Sequence, residues 1–466
     1  MATQLKAAPP VSDGTVYSSR KGIHPFSTPP LDKYAAVTGE ENIEKLGIIA
    51  RRLKGLKIME LNATAQGGGV AEMLFSSIPF LDLLGIDIEW KVLHGNQEYY
   101  ECTKSMHNLL QGMQGSFTKK MKDVYINTLL GSGNEKLIDS SPDVVVAHDP
   151  QPLGLCSFFK KPGETWLWRC HIDIEEASVE THPALWNAIT GWVEKYDASI
   201  FSAAHYVVPD WSLPKFIIPP FIDPLSEKNR EMAPEEIERV LVKYQIDSRV
   251  PIVAQIGRFD QWKGLDRTIE TYRLVRQEVK CQLVLAGGFA SDDPEGEKIL
   301  AGIREKTKED KDIHILNLSL DNRLDNFLEV NALQRASSVI MQPSTREGFG
   351  LVITEALWKG KPVIASNVGA IPLQIRDGDT GYFYKRANET ALKVIHLLNN
   401  KEDASLLGER GRKYVREHFL LPNRIADYLL TIEMSLNKAG GNRLPKESVI
   451  SFHPWFKLSK RVTAEI

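Results

Sequence analysis

The chain has 466 residues, of which 42% are hydrophobic and 25% charged, and its formal net charge is -3. This length suits two domains with extensions, and the composition is that of a soluble globular protein. The nearly balanced charge gives no general attraction to nucleic acid or to an anionic membrane surface, so neither is expected as a partner. Any binding of anions by positive charge must therefore depend on a few residues at defined positions.

The cysteines and the start of the sequence indicate a reducing compartment. The four cysteines at positions 102, 156, 170 and 281 have no Cys-x-x-Cys spacing and no zinc-site pattern. The first residues lack the continuous apolar core of a signal peptide, and no run reaches the roughly 18 apolar residues that span a bilayer. We therefore expect a cytoplasmic protein.

The first part of the chain is predicted to be an arm followed by an α/β domain. Residues 1–45 are rich in proline, serine and charge, which predicts an N-terminal arm that is extended or partly disordered. Residues 46–222 alternate short apolar runs with helical patterns, which is typical of an α/β domain. Its predicted strands are Leu56–Leu61, Ile86–Leu93, Asp143–Ala147, Thr165–Arg169 and Ala198–Phe201, and its clearest helix is Gly69–Leu84.

A proline-rich stretch over 207–224 cannot be helical throughout, so we place the domain boundary there. Residues 223–415 then repeat the βαβ pattern, which predicts a doubly wound parallel sheet. The predicted strands are Pro251–Ile256, Gln282–Ala286, His314–Leu316, Ser338–Gln342 and Pro362–Ala365. The predicted helices are Leu265–Glu278, Glu295–Lys306, Asp325–Arg335, Gly350–Trp358 and Asn388–Asn399, with two more near Ala404–Glu417 and Pro422–Leu436.

Residues 416–466 are expected to form a closing helix and a mildly basic tail with an aromatic cluster at Phe452, Trp455 and Phe456. The tail could dock on the body, bind a partner or drive self-association, so a homodimer is one outcome that we leave open. The predicted fold class is α/β, with two Rossmann-like domains facing each other across a cleft. Ligands of such sheets bind at the carboxyl ends of the strands, and the motifs are expected there.

The first of these motifs runs from Arg346 to Glu355 and follows the strand that ends at Gln342. Its glycines allow a close approach of the backbone to a ligand, and the amides at the start of the helix suit a diphosphate. Glu347 precedes the helix and Glu355 lies inside it, so the two carboxylates can reach different hydroxyl-bearing rings. The alternative is an ordinary turn with surface glutamates. The donor-binding residues predicted here are Glu347, Gly348, Phe349, Gly350, Leu351, Val352 and Glu355.

A second motif, GRFDQWKG over 257–264, follows the strand Pro251–Ile256. Arg258 offers a planar fork and Lys263 a point charge, which are the two ways in which side chains hold phosphate. The alternative is two solvated cations on a surface loop. We predict that both cations bind the leaving diphosphate.

In the first domain, a triple glycine at Gly67, Gly68 and Gly69 opens the first helix. It suits a phosphate or sugar on the helix amides, but tight packing of strand against helix also recruits glycine, and the sequence leaves both open. The runs HDPQP over 148–152 and WRCHID over 168–173 follow neighbouring strands. Although a single histidine is more often structural, two polar runs side by side favour sugar binding.

The sequence contains no convincing metal site. The acidic pair at Asp377 and Asp379 precedes Thr380-Gly381 and indicates a turn, and the pair at 310 and 312 lies in a charged surface run. We expect no metal and no other cofactor. Charge on a leaving diphosphate must then be met by Arg258, Lys263 and helix amides, as preorganised donors.

With these residues in view, the sequence resembles the retaining GT-B glycosyltransferases of family four. The resemblance lies in Arg258, Lys263 and the glutamates 347 and 355, which are separated by seven residues. It is closer to the trehalose glycosyltransferring synthases, through the motifs GGGVAE, HDPQP, WRCHID, GRFDQWKG, DDPEG at 292–296 and EVNALQRAS at 329–337. It extends from about position 45 to about 436, and the arm and tail fall outside it.

The resemblance implies transfer of glucose from UDP- or ADP-glucose to glucose with formation of α,α-trehalose, and leaves the reverse direction open. It implies that Arg258, Lys263 and the glycines at 67–69 contact the diphosphate, Glu347 the donor glucose and Glu355 the ribose. His171 would lie at the donor sugar near the reacting carbon. The acceptor hydroxyls would bind Asp149, with His148 and Gln151 of the same motif beside it. The catalytic set is then His171, Arg258, Lys263 and Glu347.

Two rivals remain. A trehalose phosphorylase of the same fold resembles several of these motifs and would use inorganic phosphate instead of a nucleotide, which would leave Glu355 without a ribose to bind. A non-catalytic nucleotide-sugar-binding protein would be expected to have lost a cation or a carboxylate, whereas the two cations and both glutamates are present.

Overall fold

The computed structural model describes residues 14–24, 26–65, 68–138, 141–175, 178–288, 294–318, 322–436 and 444–452. Within these ranges the chain forms two compact units. The N-terminal unit contains the described residues up to Pro220 and those from Leu421 onward, and the C-terminal unit is Phe221–Leu420. No helix in these ranges has both the length and the apolar character needed to cross a membrane.

The N-terminal unit is built on a sheet that is parallel except at one edge. Its first seven strands are β1 Thr15–Ser18, β2 Lys57–Asn62, β3 Asp87–Val92, β4 Val144–His148, β5 Thr165–Cys170, β6 Ala198–Phe201 and β7 Lys215–Ile217. They are ordered β1-β3-β2-β4-β5-β6-β7, and only β1 runs antiparallel to its neighbour. All five residues of β4 are buried, as expected for a parallel strand covered by helices on both faces.

The helices before and between these strands are α1 Leu31–Thr38, α2 Glu40–Arg52, α3 Gly68–Leu83, α4 Gln97–Leu110, α5 Lys119–Leu129, α6 Ser132–Leu137, α7 Leu155–Phe159, α8 Ser178–Thr181 and α9 Pro183–Val193. The structure here differs from the arm predicted over 1–45, because β1, α1 and the start of α2 lie in that range. Tyr34 of α1 is fully buried and packs edge-on against Phe80, 4.8 Å between ring centroids. A few large apolar side chains therefore anchor a segment whose average composition is polar.

The C-terminal unit has an all-parallel sheet. Its strands are β8 Ile252–Ile256, β9 Gln282–Gly287, β10 Ile313–Asn317, β11 Val339–Gln342, β12 Val363–Ser366 and β13 Tyr382–Tyr384, in the order β10-β9-β8-β11-β12-β13. Its helices are α10 Pro234–Lys243, α11 Leu265–Glu278, α12 Pro294–Lys306, α13 Arg323–Ala336, α14 Leu351–Trp358, α15 Ala387–Asn399 and α16 Lys401–His418. Leu283 and Leu285 enter one hydrophobic cluster and Val284 another, so both faces of the sheet are covered.

The chain returns to the N-terminal unit after Leu420. The helix α17 Leu421–Leu436 packs against α2 and α3, and Glu433 accepts a hydrogen bond from Arg52 at 2.7 Å. The strand β14 Val449–Ser451 adds to the sheet beside β7, and Phe452 stacks on Phe216. Trp455 and Phe456 lie outside the described residues.

Each sheet has one point at which the strand order reverses. In the N-terminal sheet the chain passes from β2 to β3 on one side and then to β4 on the other. In the C-terminal sheet β8 is followed by β9 and β10 on one side, and β11 returns to its other side. Ligands of doubly wound sheets bind at such switch points, beyond the carboxyl ends of the strands.

Candidate active site

Two loops leave the switch point of the C-terminal sheet, 257–264 after β8 and 343–350 after β11. The strands are neighbours, with Ile340 paired to Ala254. The loops are also joined to each other, because the backbone N–H of Thr345 donates to the carbonyl of Trp262 at 2.7 Å. The structure therefore brings the two predicted C-terminal motifs together at one edge of the sheet.

Lys263 and Glu347 form an ion pair between these loops. The ammonium of Lys263 donates to Glu347 Oε2 at 2.7 Å, and the two side chains are 14% and 10% exposed. The hydroxyl of Ser344 donates to the same oxygen at 3.2 Å. From β8, the amide of Gln255 donates to the carbonyl of Lys263 at 2.6 Å and fixes its backbone. The lysine is thus a partly buried cation with a defined position.

Arg258 is placed differently. Its side chain is 68% exposed, and the guanidinium lies 3.3 Å from Asp260 Oδ2. An exposed ion pair of this kind contributes little to stability. Arg258 can therefore change partners at small cost when an anion arrives.

Two glycines shape the loops. Gly264 has φ +65°, and a Cβ on it would lie 2.1 Å from the carbonyl oxygen of Pro343, so only glycine fits. Gly350 has φ +83° and precedes α14 directly. The first N–H groups of a helix have no partner within it, so those of Leu351 and Val352 are placed to receive an anion.

Phe349 supports this turn from inside the unit. Its side chain is buried and lies 5.6 Å from the ring of Phe419, while its carbonyl accepts a hydrogen bond from Gln374. Gln374 is held in turn by the hydroxyl of Thr354 at 2.6 Å. Gly348, beside Phe349, belongs to the same turn. The side chain of Phe349 therefore packs in the interior, and any ligand contact would come from the backbone.

Glu355 is fully buried in α14. It forms an ion pair with Lys228 at 2.7 Å, and Gln334 donates to its other oxygen at 3.2 Å. Burial alone would raise the pKa of this carboxyl, but Lys228 and Lys359 outweigh burial and hold the pKa below its usual value. Contact with a ribose remains a prediction, and it would require Lys228 or the carboxylate to move.

The switch point of the N-terminal sheet holds a buried chain of hydrogen-bonded side chains. Tyr428 of α17 donates to Glu60 Oε1, and His148 Nε2 lies 2.7 Å from Glu60 Oε2. His148 Nδ1 lies 3.0 Å from His171 Nε2. The chain of contacts crosses β2, β4 and the residue after β5, so it joins both predicted histidines.

Asp149 and Arg169 flank this chain. Asp149 adopts φ +64°, and one of its oxygens accepts from the backbone N–H of His171 at 2.7 Å. Arg169 is buried, with its guanidinium carbon 6.0 Å from the centroid of the Tyr428 ring. Among the described residues, neither Arg169 Nη2 nor His171 Nδ1 has a hydrogen-bond partner. These two buried atoms can receive a polar ligand.

Burial dominates the ionisation of this cluster. It raises the pKa of Asp149 to about 7, against the opposing effect of the His171 N–H and Arg169. It lowers the pKa of His148, despite the hydrogen bond to Glu60. Burial, Arg169 and His148 together bring the pKa of His171 well below its usual value. Both histidines are therefore neutral near pH 7.

The remaining predicted residues of this unit lie in backbone turns. The carbonyl of Gln151 accepts from the hydroxyl of Tyr99. Gly68 and Gly69 begin α3, and Gly67 lies outside the described residues. Gly68 has φ +76°, and a Cβ on it would meet none of the described atoms within 4 Å. The backbone conformation of Gly68, and not tight packing, therefore explains this glycine.

Several residues of these two clusters were not foreseen from the sequence. Glu60 carried a signal, since it is a carboxylate inside an apolar strand. No sequence signal pointed to Tyr428, because it lies 368 positions from its partner Glu60. Lys228 likewise sits far along the chain from Glu355 and looks like any surface lysine. Within the described ranges, no group of three or more His, Cys, Asp or Glu side chains is arranged to hold a metal ion.

Comparison with known proteins defines the class. Residues 60–208 match the family model described as trehalose synthase, N-terminal domain, and residues 236–414 match glycosyl transferases group 1. The fold is shared with a solved trehalose-6-phosphate synthase, with a TM-score of 0.64 at 13% identity over 82% of this chain and 99% of that one. The molecule is a glycosyltransferase of the GT-B fold, and the predicted fold class is confirmed.

Relatives of higher sequence identity define the class of enzyme more narrowly. A trehalose synthase of Pyrococcus horikoshii is 43% identical over 415 residues, which cover 88% of this chain and 97% of the relative. A trehalose phosphorylase of Grifola frondosa is 29% identical, over 83% of this chain and 58% of the relative. The chain belongs to the trehalose synthase family of glycosyltransferases. It is a hexosyltransferase, and the glycosyl transfer that it catalyses is related to trehalose.

Proposed function

We propose that the protein transfers glucose from a nucleoside diphosphate glucose, UDP- or ADP-glucose, to glucose with retention and so forms α,α-trehalose. The observation that carries the proposal is the pair of joined loops at the C-terminal switch point, where Lys263 meets Glu347. The name of the Pyrococcus horikoshii relative, trehalose synthase, supports the product.

In this proposal the C-terminal unit binds the donor. Lys263 exchanges Glu347 for the diphosphate, Arg258 swings from Asp260 to the same group, and the amides of Leu351 and Val352 add fixed donors. Once Lys263 has moved to the diphosphate, Glu347 accepts hydrogen bonds from the hydroxyls of the donor glucose. The Lys263–Glu347 ion pair thus supplies both a phosphate ligand and a sugar ligand.

The N-terminal unit contributes hydroxyl-binding groups in the same proposal. Asp149 and Gln151 lie at the acceptor glucose and His171 at the donor sugar, whereas both ring nitrogens of His148 already face Glu60 and His171, so that His148 acts through its neighbours. A neutral sugar suits this cluster, because its charged groups, Glu60 and Arg169, already act on each other electrostatically.

The chemistry needs no covalent enzyme intermediate. The bond from the anomeric carbon to the diphosphate oxygen breaks, and a hydroxyl oxygen of the acceptor attacks the same face of the ring. The hydroxyl proton passes to the departing phosphate oxygen, so atoms and charge balance. We propose that no metal takes part, and that Arg258, Lys263 and the helix amides stabilise the charge that develops on the leaving group.

The test is an activity screen of the purified protein in the presence of EDTA. UDP-, ADP- and GDP-glucose are each offered with glucose, glucose 6-phosphate or fructose, and the products are identified by chromatography and by the anomeric NMR signals. We expect α,α-trehalose from glucose with UDP- or ADP-glucose, at a rate unchanged by the chelator.

Two outcomes contradict the proposal. Formation of trehalose from glucose 1-phosphate with release of inorganic phosphate, and none from any nucleotide sugar, would make the protein a phosphorylase. Loss of activity in EDTA that is restored by Mg²⁺ would overturn the role given to the two cations.

A further inference from the structure

The buried chain of the N-terminal unit ends at an atom for which the described residues provide no hydrogen-bond partner. Tyr428 donates to one oxygen of Glu60, and the other oxygen lies 2.7 Å from His148 Nε2. His148 Nδ1 lies 3.0 Å from His171 Nε2. His171 Nδ1 is buried and makes no hydrogen bond to any of the described residues.

The order of donors and acceptors along this chain can be worked out from its first member. An ionised carboxylate only accepts hydrogen bonds, so His148 must carry its proton on Nε2 to reach Glu60. A neutral imidazole has one N–H, and therefore His148 Nδ1 is an acceptor and His171 must donate from Nε2. His171 Nδ1 is left with a lone pair.

The charges around the chain favour these states. The carboxyl of Glu60 interacts electrostatically with the buried guanidinium of Arg169. The same cation disfavours a proton on His171, as does the neighbouring His148, and burial lowers the pKa of both rings. Asp149 is the second carboxyl near His171, and its own pKa is raised to about 7 by burial. It accepts from the backbone of His171 and not from its ring.

We propose that Tyr428, Glu60 and His148 are positioning residues that hold His171 in the tautomer with a proton on Nε2, so that Nδ1 accepts a hydrogen bond from a hydroxyl of the bound sugar. The identity of the ligand as a sugar rests on the proposed function, whereas the tautomer does not. An ionised phosphate or carboxylate has no proton to offer this atom. His171 Nδ1 therefore favours a hydrogen-bond donor, such as a sugar hydroxyl, over an ionised phosphate or carboxylate.

The direct test is nuclear magnetic resonance of the intact protein labelled with ¹⁵N-histidine, since ring nitrogens with and without a proton have separate shifts. The His171 signals are assigned by their loss in the His171→Gln variant. We expect a protonated Nε2 and an unprotonated Nδ1 near pH 7. A protonated Nδ1, in either the other tautomer or an imidazolium, would overturn the proposal.

The variant Glu60→Gln tests the first link. Its amide can present an N–H to His148, which moves the proton to His148 Nδ1 and then to His171 Nδ1. We expect His171 Nδ1 to shift toward the protonated position and kcat to fall about 10- to 100-fold, the range for leaving a buried polar group without its hydrogen-bond partner. Unchanged His171 signals in this variant would contradict the role of Glu60.

The matched control is Tyr196→Phe, which removes another buried tyrosine hydroxyl of this unit, bonded to the carbonyl of Leu153 at 2.8 Å. It should leave the His171 signals and kcat unchanged, and a shift of the signals would point to general disturbance of the unit.

If Glu60→Gln does not fold, the wild-type spectrum alone tests the tautomer of His171. A wild-type protein with the expected tautomer but no transfer from nucleotide sugars would contradict the proposed function and leave the tautomer in place.

Discussion

Lys263 is the residue on which the proposed chemistry depends most. It combines low exposure with a fixed backbone and an ion pair with the carboxylate of Glu347. Such a cation is preorganised, because little must change when a phosphate takes the place of the carboxylate. Arg258, being mostly exposed, must be ordered by the ligand and should contribute less.

The variant Lys263→Ala should reduce trehalose formation at least 100-fold, roughly 2.7 kcal/mol of activation free energy. Steady-state kinetics with the preferred nucleotide sugar provides the measurement. The control is Lys306→Ala, since Lys306 forms an exposed ion pair with Asp266 at the end of α12. Exposed pairs contribute about 0–1 kcal/mol, so this variant should retain full activity. Equal rates for wild type and Lys263→Ala would remove the assignment.

The sequence predicted candidate site residues where a motif follows a strand. Arg258, Lys263 and Glu347 were predicted because glycines and charges cluster there, and the structure brings all three to one edge. Their partners in the fold were not predictable in the same way. Glu60 and Tyr428 meet only because α17 returns to the N-terminal unit, and no local pattern encodes that contact.

At the scale of elements, the loops depend on the close approach of two backbones. The turn at Gly264 ends the loop after β8 and passes directly over Pro343 of the loop after β11. The position therefore needs glycine both for its left-handed conformation and for the absence of a Cβ. The helix α11 begins at the next residue, which explains why its bounds, Leu265–Glu278, were predicted correctly from the sequence.

The variant Gly264→Ala should lower the free energy of unfolding by about 2–4 kcal/mol, the sum of the left-handed backbone cost and a steric clash. It should also weaken transfer, because Lys263 precedes the turn. The control is Gly378→Ala, at φ +80° in the same unit with no described atom within 4 Å of the added Cβ, which should cost about 1 kcal/mol. Equal losses of stability on urea unfolding would show that the contact with Pro343 contributes nothing.

Other elements show where sequence patterns stop being informative. The strands β7 and β13 have three residues each, which is too short for periodicity to register. The helices α1 and α2 were hidden by a polar, proline-containing neighbourhood. In contrast, β6 was predicted at its observed bounds, Ala198–Phe201, because four apolar and small residues stand between clear polar breaks.

For the whole molecule, the fold class followed from the sequence because βαβ repetition permits few arrangements. The two doubly wound sheets and the confirmed GT-B fold are consequences of that regularity. The sequence did not predict that α17 and β14 return to the N-terminal unit, because a helical pattern does not show which sheet the helix will cover. The proposal that the C-terminal unit binds the donor calls for a direct measurement.

That measurement is hydrogen exchange of the full-length protein, followed by mass spectrometry, with UDP or ADP in the presence of EDTA. We propose that the C-terminal switch point binds the nucleoside diphosphate without a metal. We predict slower exchange in peptides covering 257–264 and 343–352, and no such change with glucose alone. Unchanged exchange in both segments, or protection that appears only after Mg²⁺ is added, would contradict the claim.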